Sequence, residues 1–325
     1  MLSRTADHLF WMSRYTERAE NLARLLDDAW QMSLVPQSDE SSRQNWQALI
    51  VLNNLQDDYA ARYDGVSADQ VLRFMITDPL NPSSVYSCLR MARENAHAVR
   101  GTITTEMWET LNATWLDMRT RSFESIQGSD MGDFLEWVKM RSSFTRGVTL
   151  GTLLQDEAYH FIRLGTLLER ADNTARTLDV KFVAAAEGSA SDPHGGSGGT
   201  GGVTGYYRWA ALLRSVSALE VYRKVYRDTI TPARVAELLI LRPDMPRSLR
   251  YCVNGVLRNL ERVRNSQSAE TERQAGLLHA RLHYGRVEDI LEHGLHEWLS
   301  DFLDGIYALG NGISKDFLVL GAEVG

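Results

Sequence analysis

Apolar residues recur along this chain at spacings of three and four, the period of one face of an α-helix. Patterns that alternate between apolar and polar positions, as strands do, are essentially absent. The pattern therefore predicts an all-α fold of roughly ten to twelve helices. Apart from the repeated segment described next, helices are predicted at about 41–62, 67–77, 102–126, 130–147, 206–228, 231–242, 268–284 and 286–318.

One helical segment is written twice in the sequence. Residues 8–27 (HLFWMSRYTERAENLARLLD) match residues 160–179 (HFIRLGTLLERADNTARTLD), with nine of twenty positions identical. An internal repeat of this kind indicates that one structural unit occurs twice. Two more pairs follow in the same order, 46–63 with 209–226 and 71–89 with 235–253.

The repeat predicts a tandem-duplicated helical bundle made of two copies, about 1–150 and 151–325. We expect one domain over 1–325 with a pseudo-two-fold axis, because each copy has an apolar face that needs a partner. The Gly/Ser-rich insert at 188–205 accounts for the larger offset of the later blocks and is predicted to be flexible. Pro82 and Pro246 precede helical runs and are predicted in the first helical turn.

A polar stripe lies opposite the apolar face of each repeated helix. Glu17, Asn21 and Arg24 recur at helical spacing. Three interpretations stay open: a buried structural network, a ligand or partner site built from arginine forks, and a solvated face with weak ion pairs. The hypothesis for a buried layer places the two Glu-Arg pairs near one another across the pseudo-two-fold axis. The stripe residues and the adjacent arginines are Glu17, Arg18, Asn21 and Arg24 in the first copy and Glu169, Arg170, Asn173 and Arg176 in the second.

A second candidate site lies on one helix of the first copy only. The second copy has Leu257, Arg258 and Asn259 opposite three of its residues. The sequence leaves two interpretations open, a patch for an anionic ligand or acidic partner and a structural charge network. The candidate residues are Arg90, Arg93, Glu94, Asn95 and Arg100.

Composition excludes several classes of protein. The net charge is −7, with 35 basic and 42 acidic residues and no basic tract, so nucleic acid is not expected as the main partner. No apolar run reaches the ~18–20 residues of a membrane span, and the N-terminus lacks a signal-peptide pattern. Two cysteines indicate a reducing compartment. We expect a cytoplasmic protein.

Motifs for catalysis and for cofactors are missing from the sequence. There is no GxSxG, Cys-His signature, P-loop or GxGxxG after a strand. Glu94 and His97 have the Glu-x-x-His spacing of helical di-metal sites, but the second copy lacks the partner motif. Other spacings that suit a metal occur in 279–296 and are common on exposed helices. No cofactor or metal is expected.

The ordered set of motifs resembles the bacterial alpha-E family, an all-helical family named for a recurrent Glu-Arg motif. The resemblance covers the chain except 188–205 and rests on the two ERAxNxAR segments, WQALIVL, NPSSVYSCLRMARENAHAVRGTITTEMWETLN and LRPDMPRSLRYCV. His97 departs from the pattern, in which a basic residue is commoner. The motif residues that carry over are Glu17, Arg18, Glu169, Arg170, Arg90, Arg93, Glu94, Asn95 and Arg100.

The resemblance implies an accessory protein encoded beside an ATP-grasp ligase-like protein and a transglutaminase-like peptidase, in peptide synthesis or modification. It implies no catalytic residue. Two alternatives remain: an enzyme or ligase component that uses the Glu/Arg layer as an acid/base or anion-binding site, and a structural scaffold that forms a homo-oligomer.

Overall fold

The computed structural model describes residues 1–35, 38–190 and 202–318. Over these ranges the protein is all-α, as the periodicity predicts, with sixteen α-helices, a single-turn 3₁₀ helix at Gly128–Asp130 and no strand. The helices are α1 Ser3–Ser33, α2 Asp39–Leu52, α3 Gln56–Ala60, α4 Ala68–Ile76, α5 Val85–Ala98, α6 Thr105–Met118, α7 Phe123–Ile126, α8 Met131–Thr152, α9 Glu157–Ala190, α10 Gly202–Ser215, α11 Leu219–Tyr226, α12 Pro232–Ile240, α13 Leu249–Val263, α14 Ala269–His283, α15 Val287–His293 and α16 Leu295–Phe317.

The predicted number of helices was too low because four predicted helices are each broken in two. Asn54 (φ 54°) lies between α2 and α3, and Ser217 (φ 53°) lies between α10 and α11. Gly294 (φ 103°) separates α15 from α16. A residue with positive φ ends a right-handed helix, while the apolar period continues on both sides. The fourth break separates α6 from α7 and carries no such residue.

The two prolines predicted in first helical turns lie outside their helices. Ser84 caps α5 by accepting a hydrogen bond from the Ser87 amide, and Ser248 caps α13 by accepting one from the Tyr251 amide. Pro82 and Pro246 each lie two residues before the cap. A serine side chain satisfies a first-turn amide directly, which fixes the helix start. Pro232 of α12 occupies the position that was predicted for the other two.

The first of two structural units comprises Met1–Thr166. Its central element is α1, which packs against α5 and α8 and buries residues on several faces. α5 also contacts α6, and α6 contacts α8, while α2 and α4 pack beside them. Trp46 of α2 is buried in this core, as predicted. The polar motif residues of α1 are therefore enclosed by neighbouring helices.

The second unit comprises Leu167–Gly325, so α9 begins in the first unit and continues into the second. Within this unit α13 packs against α14, and α14 packs against α16. Gly255 of α13 lies against Leu167 of α9. Trp209 is buried, as predicted. The helices α9–α16 have lengths that follow those of α1–α8 in order; the duplication and its symmetry remain predictions.

The insert predicted at 188–205 is partly helical. Residues 188–190 end α9 and residues 202–205 begin α10, while the flexibility of the segment remains a prediction. Helical hydrogen bonding extends over glycine when the flanking sequence favours it. The rest of the insert, 191–201, lies outside the described residues. In the described ranges no helix combines the length and apolar character needed to cross a membrane.

Gly165→Ala is expected to destabilise the first unit. A methyl group at Gly165 would lie 2.3 Å from the Phe10 carbonyl oxygen of α1, and a backbone atom cannot move aside as a side chain can. Overpacking of this kind costs roughly 1–3 kcal/mol. Urea unfolding followed by circular dichroism measures the loss. Gly147→Ala is the control, because open space surrounds that helical glycine. We expect it to stabilise by about 0.5–1 kcal/mol, and equal effects of the two substitutions would contradict the close contact.

Candidate functional site

Two carboxylates of the repeated motif are buried on α1 and share one arginine of α8. Glu17 and Glu20 are 1% and 0% exposed. Arg146 Nη1 donates to Glu17 Oε2 at 3.2 Å and to Glu20 Oε2 at 2.5 Å. Arg24 Nη2 donates to Glu20 Oε1 at 2.7 Å, an ion pair between residues four positions apart on α1. We call Glu17, Glu20, Arg24 and Arg146 the α1 ion network.

The solvated-face interpretation of the stripe is wrong, because none of the eight stripe residues and adjacent arginines is exposed and four of them are buried. Glu17 and Asn21 are buried in the first unit, and Glu169 and Arg170 are buried in the second. A buried carboxylate needs a counter-charge or strong hydrogen bonds to be tolerated. The α1 ion network supplies both for Glu17 and Glu20. Arg24 and Arg18 are half-buried, and the Arg18 guanidinium lies 5.7 Å from the Tyr15 ring.

Sequence reasoning missed Arg146, the residue on which this network depends. Arg146 is separated from Glu17 by 129 positions, and helical periodicity relates only near neighbours. A weak signal exists on α8, where Ser142, Thr145 and Thr149 place hydroxyls on a face that is buried. Polar residues at the spacing of a core face indicate a polar partner opposite them. That partner is α1, since Ser142 Oγ donates to the Thr16 carbonyl at 3.2 Å.

A small cavity of about 30 Å³ adjoins the network between α1, α8 and the start of α9. Such a volume accommodates about one or two water molecules. The hydroxyls of its lining donate their protons to carbonyls of their own helices, for example Thr149 to Thr145 and Thr166 to Ile162. Their oxygens are therefore left as acceptors toward the cavity. The polar lining comprises Ser13, Thr16, Glu17, Thr145, Arg146, Thr149, Arg163 and Thr166.

The second copy of the motif keeps the i, i+4 ion pair of the first, since Asp172 and Arg176 occupy the positions of Glu20 and Arg24. Arg170 Nη1 donates to the Pro246 carbonyl oxygen at 3.3 Å, across to the segment before α13. Arg176 Nε donates to Asp172 at 2.9 Å, and both side chains are half-buried. Asn173 is half-buried as well. The meeting of the two Glu-Arg pairs across an axis remains a prediction.

The last aspartate of each copy is paired with a cation of a later helix in the same unit. Asp27 accepts from Lys139 Nζ of α8 at 2.8 Å. Burial opposes the charge of Lys139, but hydrogen bonds to Asp27 and Glu136 outweigh it and raise the ammonium pKa. Asp179 lies 2.7 Å from His296 Nδ1 of α16, and this hydrogen bond raises the pKa of the imidazole.

The five candidates of the second site do not form one cluster. Asn95 is buried toward α1, where its Oδ1 lies 2.8 Å from His8 Nδ1. Arg93 contacts exposed Glu94 at 2.9 Å and the Asn112 side chain of α6 at 3.2 Å. The three arginines, Arg90, Arg93 and Arg100, lie instead beside aromatic rings: the Tyr86 ring for Arg90 and the Trp108 ring for the other two.

In the described part of the chain, no three His, Cys, Asp or Glu side chains are grouped to hold a metal. Glu94 and His97 are both exposed, and the His97 ring lies 5.5 Å from the Trp108 ring. His283 Nδ1 is 3.2 Å from the guanidinium of Arg250, which disfavours a second cation there.

Arg146→Met is expected to lower the free energy of unfolding by roughly 3 kcal/mol, because it leaves two buried carboxylates without this cation. Arg43→Met is the control. Its ion pair with Glu40 is exposed on both sides and should contribute less than about 1 kcal/mol. Adding Glu17→Gln and Glu20→Gln to Arg146→Met should recover part of the loss. Urea unfolding measures the free energy of unfolding of all three variants. Equal losses for Arg146→Met and Arg43→Met would contradict the prediction.

His296→Gln is expected to destabilise the second unit at acidic pH only. Asp179 raises the His296 pKa above 6.5, so the pair stabilises the fold fully below pH 6.5. This contribution is lost as the pH rises through the raised pKa. Thermal unfolding of both proteins at an acidic and an alkaline pH measures the difference. Asp179→Asn should show the same dependence, and a difference that persists at alkaline pH would contradict the assignment.

Comparisons with known proteins agree on the family. The model of the Alpha-E family, described as a predicted alpha-helical domain with a conserved ER motif, matches residues 1–318. Similar curated proteins include uncharacterized proteins of Mycobacterium bovis and Mycobacterium tuberculosis, each 23% identical over 333 aligned residues. The match covers 94% of this chain but spans 35% of each relative's length. No solved structure matches this chain. The chain belongs to the Alpha-E family, and the Glu-Arg pairs of its repeated segment are Glu17-Arg18 and Glu169-Arg170.

Proposed function

We propose that this protein is a non-catalytic accessory protein that binds an ATP-grasp-type peptide ligase in the cytoplasm. In this role it takes part in peptide synthesis or modification, together with a transglutaminase-like peptidase. Three observations support the proposal: the role of the buried motif residues, an exposed apolar face on α8, and the greater length of the curated relatives.

The first support is the role of the buried Glu-Arg motif in the first unit. Glu17 and Glu20 accept hydrogen bonds from Arg146, and Glu20 also accepts from Arg24. These ion pairs stabilise the fold, and this stabilisation is sufficient to explain why the two buried glutamates are present. The adjoining cavity of about 30 Å³ is far below the roughly 300–1,000 Å³ of pockets that hold small-molecule ligands. A peptide substrate does not fit there.

The exposed apolar face of α8 is the observation that carries the proposal. Met140 and Phe144 are 62% and 55% exposed. Gly147 and Gly151 continue the same face at helical spacing, and open space surrounds both. We call these four residues the α8 apolar face. A contiguous exposed apolar surface marks a protein–protein contact, because burial of that surface in a complex is favourable. The glycines allow a partner backbone to approach closely.

The third support comes from the curated relatives. In those mycobacterial proteins the region similar to this chain is 35% of a longer polypeptide. The Alpha-E region there lies in one molecule with other protein segments. A region that is fused to further segments in its relatives is suited to work in contact with another protein.

An enzymatic role is the second candidate, and one observation favours it. Glu17 and Arg146 line the water-sized cavity together with several hydroxyls, so a carboxylate lies next to a position for bound water. Chemistry at this site would require Glu17 to act on that water. Glu17→Gln should then abolish activity while the fold is retained. The accessory role predicts instead that the Glu17→Gln variant, once folded, supports peptide modification as the wild-type protein does.

We expect this protein to co-purify with the ATP-grasp-type ligase of its own organism when the two are co-expressed. Met140→Asp with Phe144→Asp should reduce recovery of the ligase roughly tenfold or more, because charged side chains remove the apolar contact. Affinity purification with mass spectrometry measures the recovery. The control is Leu277→Asp with Tyr284→Asp, which changes two side chains of the second unit that are 57% and 80% exposed.

Each outcome separates the candidate functions. Failure of the wild-type protein to retain the ligase would overturn the proposal. Equal recovery with both double variants would exclude the α8 apolar face as the contact. Recovery of this chain alone as a homo-oligomer that the Met140/Phe144 variant dissociates would favour the structural scaffold instead.

A further inference from the structure

Helices α5 and α6 and the turn after α5 carry a row of arginine and aromatic side chains that the fold alone does not explain. The row lies on the half-buried to exposed face of the two packed helices. We call it the arginine–tryptophan strip, which consists of Arg90, Arg93, His97, Arg100, Trp108 and Trp115.

One end of the strip is organised around Trp108. The Arg93 guanidinium carbon lies 5.2 Å from its ring centre, and that of Arg100 lies 5.9 Å away. The His97 ring is 5.5 Å from the same indole. Cations above an aromatic face are attracted by its quadrupole, so the indole holds the guanidinium groups in place.

The other end of the strip is organised around Trp115, seven residues farther along α6. The Tyr86 ring packs edge-on against it at 5.0 Å, and the Arg90 guanidinium carbon lies 6.0 Å from the Tyr86 ring. Residues seven apart share one face of a helix and lie about 10 Å apart. The strip therefore has two aromatic platforms, each with at least one guanidinium group.

The charges of the strip are incompletely neutralised within the described residues. Arg93 is paired with Glu94 at 2.9 Å. No described carboxylate lies within 4.0 Å of the Arg90 or the Arg100 guanidinium. The whole chain carries a net charge of −7, so a local excess of cations runs against its composition. Guanidinium groups in this situation have donors available for the carboxylates of another molecule.

Helix electrostatics explains only part of this arrangement. α5 ends at Ala98, so His97 and Arg100 are placed to complement the negative end of the helix. That effect falls off within one turn. Arg90 lies two turns before the end, and the indoles of α6 contribute nothing to it.

We propose that the arginine–tryptophan strip binds an acidic polypeptide segment in extended conformation. The two aromatic platforms lie about 10 Å apart along α6, and at least one guanidinium group accompanies each. An extended segment covers this distance with about four residues. Two carboxylates at that spacing receive the guanidinium donors, and an apolar side chain between them packs beside the indole rings of Trp108 and Trp115. Arginine and tryptophan are the residues that dominate protein interfaces. The proposal is independent of the ligase partnership, since the α8 apolar face consists of other residues.

Fluorescence anisotropy with a labelled peptide tests the strip. The probe carries two glutamates about four residues apart with a phenylalanine between them. Two further probes are the same peptide with glutamines and a labelled single-stranded oligonucleotide. The wild-type protein should bind the glutamate peptide, and added salt should weaken the binding. Arg90→Gln with Arg100→Gln should weaken it roughly tenfold or more, because both charge-assisted contacts are removed.

Two controls separate a specific site from general charge attraction. Arg43→Gln with Arg273→Gln changes the net charge equally at two exposed ion pairs elsewhere, and should leave the binding unchanged. Trp108→Leu should weaken binding, with circular dichroism to verify the fold. The proposal is overturned if the two arginine double variants bind the glutamate peptide equally well. It is also overturned if the wild-type protein binds the glutamine peptide as tightly as the glutamate peptide, or does not bind the glutamate peptide at all. An oligonucleotide that binds as tightly as the peptide would overturn the polypeptide assignment.

Discussion

The burial of two carboxylates on α1 is the constraint around which the first unit is built. Glu17 and Glu20 are removed from water, and an unpaired buried charge is strongly unfavourable. α8 therefore packs so that Arg146 reaches both, and Arg24 neutralises Glu20 from within α1. The hydroxyl-bearing face of α8 lies at the same contact: Ser142 donates to the Thr16 carbonyl of α1, while Thr145 and Thr149 donate to carbonyls of α8 itself. A helix enclosed by α5 and α8 thus holds charges in the core.

The second unit keeps the i, i+4 ion pair of the motif, here Arg176 with Asp172, and adds contacts of its own. Arg170 reaches the Pro246 carbonyl, and Asp179 pairs with His296 where Asp27 pairs with Lys139. The pairing with histidine responds to pH and the pairing with lysine does not over the same range. A shared sequence pattern therefore sets which residue types are available, and each unit's later helices decide what those residues contact.

The first unit departs at a few positions from the usual division between a polar exterior and an apolar interior. Charged motif residues are inside, whereas Met140 and Phe144 of α8 and the indole of Trp108 face outward to different degrees. Apolar and cation–aromatic surfaces are stabilised when a partner excludes water from them. This distribution fits a protein whose motif maintains the fold and whose exposed helices make the contacts.

The sequence alone determined the all-α class, the order of the helices and the burial of matched tryptophans, because helical periodicity is a local property. It also identified Glu17, Arg24 and the arginines of residues 90–100 as candidate functional residues. Only the tertiary structure decided that Glu17 meets Arg146, a residue 129 positions away, and that Asn95 turns inward while Arg90 and Arg100 do not. The sequence analysis also did not predict the helix breaks at Asn54 and Ser217. The pairing of distant helices depends on tertiary packing, and so does the position of single left-handed residues. The local periodicity of the sequence contains no information on either.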